Sequence, residues 1–272
     1  MSERISVTKA NGVADVKLVR SDKMNALDDT MFSALIETSE ALAKDPEVRC
    51  VILSGEGRAF CAGLDMGNFG KMADGGGSGG TPSGRQPLAE RTHGIANRAQ
   101  QAVWGWRTLP VPVIAAAHGV ALGGGFQLLL GSDIRIAHPD TKMSIMEIKW
   151  GLVPDMAGTP IMKALCRDDR LRELTYTGRI FSGAQAVDYG FVTELSDNPH
   201  ADALALAETI AGKNPDAIRA DKKIFNQLQD MTDAEALLLE SVLQDEIIGS
   251  PNQIEAVKSE LGKRTPVFTD GR

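Results

Sequence analysis

The chain has 272 residues, 43% of them apolar and 24% charged, enough to bury a large core in one domain or in one domain with a helical appendage. Its 29 basic and 36 acidic residues leave a net charge of −7, which argues against non-specific binding to nucleic acid or to an anionic membrane, since both need positive surface. Three cysteines, Cys50, Cys61 and Cys166, show no paired metal-ligand spacing and cannot all pair within one chain. Neither a disulfide framework nor a metal site is expected. The first residues lack a charged segment followed by an apolar one, and no apolar run approaches the length of a membrane span. The expectation is a soluble, cytoplasmic protein.

Residues 5–8 and 13–19 are predicted strands around Asn11-Gly12, a hairpin signal. Asp28, Asp29 and Thr30 offer capping oxygens ahead of Phe32, Leu35, Ile36 and Leu42, whose spacing makes one helical face. Val51-Ile52-Leu53 reads as a buried strand. Residues 67–87 include Gly75-Gly76-Gly77-Ser78-Gly79-Gly80 and have too few apolar groups to offset the entropy of ordering, so a mobile loop is expected there. This stretch lacks the Gly-Lys-Ser/Thr ending of a phosphate cradle. Residues 111–117 form the next predicted strand, followed by a glycine-rich turn and a short helix from about Gly124. Residues 133–137 and 143–145 are further strands. Strands alternating with helices point to an α/β fold with a mixed sheet. The last third carries helix starts at Ser182-x-x-Gln185, Asn214-Pro215, Thr232-x-x-Glu235 and Ser250-Pro251-x-Gln253. This shift divides the chain into a core, 1–200, and a helical region, 201–272.

Two segments carry the chemistry: Arg58-Ala59-Phe60-Cys61-Ala62-Gly63-Leu64-Asp65 and His118-Gly119-Val120-Ala121-Leu122-Gly123-Gly124-Gly125-Phe126-Gln127. Each follows an apolar, β-branched run and is rich in Gly and Ala, so each can bring bare N–H groups close to a ligand. A pair of such donors makes an oxyanion hole, which stabilises a carbonyl oxygen as it becomes negative. Tight strand-to-helix packing without catalysis is the other reading of Gly123 to Gly125. In order and separation the two segments resemble those of the crotonase superfamily, the enoyl-CoA hydratases and isomerases. The resemblance runs from Arg20-Ser21-Asp22-Lys23-Met24-Asn25-Ala26-Leu27 to Lys263-Arg264-Thr265-Pro266-Val267-Phe268.

That resemblance implies a spiral of ββα units with a C-terminal helical region that forms a homotrimer or a dimer of trimers. It implies an acyl-CoA thioester as substrate and no separate cofactor, coenzyme A being part of the substrate. By the family pattern the N–H groups of Ala62 and Gly124 are the oxyanion donors, and the helix beginning at Gly124 adds its dipole. Coenzyme A is expected along Lys23, Met24, Ala26 and Ala62, Gly63, Leu64, Asp65, with Gly123 and Gln127 lining the acyl end. Arg20, Lys23, Lys263 and Arg264 are candidate phosphate partners, with a solvated surface face as their other reading. Phe268 resembles a tail aromatic that reaches a neighbouring subunit's ligand.

Hydratases of this family carry two glutamates. The second matches Glu147 in Met146-Glu147-Ile148; the first is replaced by Gln127, and an amide cannot exchange a proton at neutral pH. A second carboxylate, Asp155, stands eight residues after Glu147, and its spacing resembles the pair of dienoyl-CoA isomerases, which usually also have an aspartate at the position of Gln127. Asp155 either turns into the pocket or caps a helix starting near Thr159. An apolar wall including Trp150 would raise one pKa and leave the other group ionised, although Trp150 reads more readily as core than as catalytic. Cys61 is read as packing, because His93, His118, His138 and His200 are scattered. The sequence therefore favours double-bond isomerisation by Glu147 and Asp155. The alternatives are hydration by Glu147 with Gln127 positioning water, and an acyl-CoA binder without turnover.

Overall fold

The computed structural model describes residues 3–67 and 87–270; the expected loop at 67–87 lies almost wholly outside these. Strands β1 (Ile5–Ala10) and β2 (Val13–Leu18) form the predicted hairpin. Asn11 and Gly12 take φ of 51° and 79°, the pair of left-handed residues that matches a tight turn to strand twist. Helix α1 (Asp29–Ala43) starts where Asp28 accepts a hydrogen bond from the Met31 N–H at 2.8 Å. It leads to β3 (Cys50–Gly55), and α2 (Arg98–Arg107), closed by an Asn97–Gln100 capping box, leads to β4 (Val113–Ala117).

The strands β5 (Val120–Leu122), β6 (Ile134–Ala137), β7 (Lys142–Ser144), β8 (Phe181–Ser182) and β9 (Glu194–Leu195) complete two sheets. One has the order β1-β2-β3-β4-β6-β9 and is parallel after the first hairpin; the other has the order β5-β7-β8. The expected strand at 143–145 sits one residue earlier, and β5 was hidden in the glycine-rich segment. A three-residue strand between glycines carries too little periodicity to read.

The short helix α3 (Gly124–Leu130) packs against β5 and α2, with Gly125 and every residue from Phe126 to Leu130 buried. Its Phe126 ring meets Phe181 and Phe191 edge-on, at 5.6 and 5.2 Å between centroids. Burying each such ring contributes roughly 1.5–3 kcal/mol, so the helix is anchored firmly.

After β7 come α4 (Gly158–Leu165), α5 (Asp168–Thr177) and α6 (Gly183–Asp188), and the last third holds α7 (Pro199–Ala211), α8 (Pro215–Gln227), α9 (Asp233–Ile247) and α10 (Pro251–Leu261). The starts read at Ser182, Asn214, Thr232 and Ser250 are all occupied as caps. Helix α7 covers the second face of the larger sheet, setting Ala203, Ala207 and Ala211 against Val13, Cys50, Ile52, Ile114, Ala116 and Ile136. Small alanines at this spacing let the helix lie close on the strands.

Candidate active site

The parallel strands β3 and β4 both release their chains at one end of the larger sheet, and the two glycine-rich segments lie there side by side. Cys61 donates to the Val120 carbonyl at 3.0 Å, and Leu122 donates back to the Cys61 carbonyl at 3.1 Å. A Cβ on Gly63, where φ is 86°, would lie 2.4 Å from the Leu122 carbonyl oxygen. One on Gly125 would lie 2.3 Å from the Cys61 carbonyl oxygen. Glycine is required at both positions for the segments to approach this closely.

Backbone bonding then decides which N–H groups are available. Ala62, the expected first donor, gives its N–H to the Met24 carbonyl at 2.9 Å. Asp65 donates to Leu27, and the Gly63 N–H points to the Cys61 sulfur. Among the described residues, nothing accepts from the N–H of Leu64 or of Gly124. The available pair is therefore Leu64 and Gly124, and Ala62 is corrected to a structural donor. The left-handed turn at Gly63 separates the two roles. A Cβ at Gly63 would stand 3.6 Å from the Gly124 nitrogen, which brings the two segments' donors into one small region.

Glu147 opens a 3-10 turn, Glu147–Trp150, that ends at left-handed Gly151. Its carboxyl is buried, and its Oε1 would be 3.5 Å from a Cβ on Gly123, so it lies against the donor segment. Oε2 is buried and takes no hydrogen bond. Burial pushes the carboxyl above the usual glutamate range, the Glu147 N–H and the Gln127 amide pull the other way, and the charge of Asp155 adds to the rise. Asp155 is near enough to act on Glu147 electrostatically. It is solvent-exposed on its loop, yet enough protein surrounds it to push its carboxyl up as well. Both carboxyls move in the same direction, contrary to the expectation that only one would be raised. Helix α4 takes Ala157, not Asp155, at its N-cap position, so the capping role considered for Asp155 is absent.

Gln127 is the residue whose part differs most from expectation. It is a polar side chain on an otherwise apolar buried helix, with 1% of its surface exposed. Its Nε2 donates to Glu147 Oε1 at 2.6 Å, and its Oε1 accepts from the N–H groups of Met156 and Gly158, both at 2.9 Å. The amide is engaged with protein at both ends. The signal was in the sequence: a glutamine within Gly-Gly-Phe-Gln-Leu-Leu-Leu must find buried partners. Which partners it finds is set by the fold.

The segment expected to meet coenzyme A is largely tied to itself. Met24 and Ala26 donate to Ser21 and Lys23, and the Ala26 carbonyl accepts from Arg20 at 2.9 Å. Each carbonyl keeps a second lone pair for a ligand. Arg20 pairs with Asp65 at 2.7 Å and with Asp28 at 3.5 Å, clasping the two coenzyme-facing segments together. Lys23 is exposed beside them. Arg264 pairs with Glu255 near the C-terminus and Lys263 is exposed there, while the Phe268 carbonyl accepts from Arg49 just before β3. Within one chain, Lys263, Arg264 and Phe268 thus sit away from Glu147, at the other end of the sheet. Leu27 and Met156 side chains crowd Gly124, giving the cleft apolar walls, and Trp150 is 39% exposed rather than core. The Cys61 thiol is fully buried, donates to the Asn25 carbonyl and is pushed up to about 12 by burial, which leaves it inert at neutral pH.

Known proteins resemble the chain along nearly its whole length. The family model described as enoyl-CoA hydratase/isomerase matches residues 8–271. The chain is 31% identical to 1,2-epoxyphenylacetyl-CoA isomerase from Escherichia coli (strain K12), over 99% of each chain. It is 28% identical to the peroxisomal Delta(3,5)-Delta(2,4)-dienoyl-CoA isomerase of Arabidopsis thaliana, over 92% of this chain and 90% of that one. The crystal structure of an enoyl-CoA hydratase from Bacillus anthracis superposes with a TM-score of 0.85 at 28% identity, covering 98% of this chain and 99% of that one.

Proposed function

This chain belongs to the enoyl-CoA hydratase/isomerase (crotonase) family, and from that premise we propose that it moves a double bond along an unsaturated acyl-CoA thioester. The observation that carries this reading is the Glu147 carboxyl, buried against the Gly123–Gly124 turn with Asp155 within electrostatic reach. The thioester oxygen sits between the N–H groups of Leu64 and Gly124. Polarisation there acidifies the α-carbon and spreads the resulting charge along the conjugated chain.

Glu147, next to the oxyanion donors, takes the proton from the α-carbon. The electron pair of that C–H bond moves into the conjugated system, and Asp155 delivers its proton to the remote carbon, where a new C–H bond forms. A base whose pKa is raised is a stronger base, and an acid raised in the same way keeps its proton longer, so both shifts serve this division of labour. Asp155 reaches solvent and recovers its proton there, while Glu147 releases the proton it took to solvent as the product leaves, so one proton is lost from the α-carbon and one gained at the remote carbon in each turnover. Hydration would need a second group to hold and split water, and the Gln127 amide is already engaged with Glu147, Met156 and Gly158.

The exposed apolar residues Leu237, Leu238 and Val242 of α9 and Ile254, Val257 and Leu261 of α10 support assembly through the C-terminal helices, in keeping with a homotrimer or a dimer of trimers. Phe268 then acts at a neighbouring subunit's site.

The test is mass spectrometry of a panel of enoyl-CoA and dienoyl-CoA esters incubated with the protein in heavy water, with product positions resolved by chromatography. A shifted double bond at unchanged composition, apart from deuterium, is expected, and Asp155→Asn should slow it about 100-fold. A product heavier by one water would replace this reading with hydration. Binding of every ester with turnover of none would make the protein an acyl-CoA binder.

A further inference from the structure

Ala157 is one of five described non-glycine residues with positive φ, at 63°, and it lies two residues after Asp155. A residue with a Cβ in the left-handed region costs roughly 1–2 kcal/mol, and it persists only where surrounding structure holds it. The groups that hold it are the two N–H groups on either side, Met156 and Gly158, which converge on one atom, Gln127 Oε1. Gly158 has to be glycine for this approach, since a Cβ there would come within 2.6 Å of the Gln127 Cγ and Oε1. The other end of the same amide donates to Glu147 Oε1. Gln127 itself is fixed by α3, whose neighbour Phe126 is wedged between Phe181 and Phe191.

We propose that Gln127 is a positioning residue that sets both carboxyls at once: its nitrogen orients Glu147, and its oxygen pins the turn that carries Asp155. The inference rests on the assignment of those two carboxyls as base and acid, and it adds the element that fixes their separation. Donation to Oε1 also sorts the two carboxylate oxygens. Oε1 is anchored beside the Gly123 turn, and Oε2 is buried without a partner, so the amide is the one side-chain contact that fixes which way the carboxyl faces. A hydrophobic residue at 127 would leave Glu147 to rotate and free two N–H groups in the interior. A glutamate would keep the acceptor for Met156 and Gly158 but set a second carboxyl against Glu147, where the two would share one proton.

Two variants separate these functions, Gln127→Met and Gln127→Glu, each checked for folding by thermal melting. Hydrogen exchange is followed by mass spectrometry on the peptide spanning 152–160, and kcat and KM are measured against pH on whichever ester the wild type turns over. Gln127→Met is expected to expose the Met156 and Gly158 amides to exchange at least about tenfold faster and to lower kcat about 100-fold with little change in KM, as a displacement of about 1 Å does. Gln127→Glu is expected to keep the exchange protection and to move the acid limb of the kcat profile to higher pH, because a like charge makes Glu147 harder to ionise.

Unchanged exchange in Gln127→Met overturns the pinning of the Asp155 turn. A Gln127→Glu profile superimposable on the wild type overturns the orientation of Glu147. The exchange readout does not depend on turnover. A wild type that turns over no ester therefore defeats the proposed function, while the clamp stands or falls on the exchange result.

Discussion

The two ends of the larger sheet each hold a carboxyl, half-buried at one end and buried at the other, and the protein treats them in opposite ways. At the start of β6, Asp133 accepts from the Val113 N–H at 2.8 Å, pairs with the buried ammonium of Lys222 and stands 3.7 Å from Arg107. At the other end, Glu147 has an amide on one oxygen, no hydrogen bond on the second, and an acidic neighbour in place of a basic one. A groove of about 1080 Å³ opens at the Asp133 end, lined by Trp104, Leu109, Pro110, Lys222 and Ile247 among others. Where every charge is answered, a carboxyl joins strands and helices; the one left unanswered is the carboxyl to which the proposed function gives a proton to exchange.

The sharpest way to break this comparison is to neutralise the unanswered carboxyl. Glu147→Gln is expected to lower kcat about 1,000-fold in the ester assay, with the protein still folded. Turnover within a few-fold of wild type would put the chemistry elsewhere.

Next in size is the paired end. Lys222→Met leaves Asp133 without its principal cation and is expected to reduce unfolding stability by about 3 kcal/mol in urea titration. The kcat of the folded fraction should stay within a few-fold, since Lys222 lies far from the cleft. A large fall in kcat with stability intact would erase the distinction between the two ends.

The pH dependence of stability tests the same contrast more finely. Burial raises the Glu147 carboxyl, so its neutral form is the one the fold favours. The stability it contributes is present below its unfolded pKa and is lost as pH rises through the higher folded value. Glu147→Gln removes that loss, and its Tm should exceed the wild-type value by about 2 °C at pH 8 but not at pH 4. An equal Tm difference at both pH values would mean that Glu147 is not strained by its charge.

The smallest expected effect is at Cys61. With Cys50, Cys61 and Cys166 all buried, the native protein should resist iodoacetamide, and Cys61→Ser should leave kcat within about twofold. Rapid labelling of native protein at Cys61, with loss of activity, would contradict its role as packing.

Much of the fold was legible because its signals are local. The Asn11-Gly12 turn, the Asp28 cap and the capping boxes at Ser182 and Thr232 each depend on residues within a few positions of one another, and each is found as read. In the site, the motifs single out Glu147 and Gly124, which the fold brings to one turn, while the Ala62 N–H expected as a donor is spent on the Met24 carbonyl. Nothing in Cys61-Ala62-Gly63-Leu64 says which N–H is already taken, because the acceptor, the Met24 carbonyl, comes from a segment 38 residues earlier.

What the sequence determined by itself was the family, the alternation of strands with helices and the types of residue available for proton transfer. The family follows from the resemblance of its motifs in their order, and the other two from periodicity and composition, properties of neighbouring residues. The tertiary structure decided which backbone donors stay free, that Gln127 holds protein groups at both ends of its amide, and that both carboxyls are raised together. Each of those depends on burial and on hydrogen bonds between segments remote in sequence, and burial is a property of the folded chain that no single segment possesses.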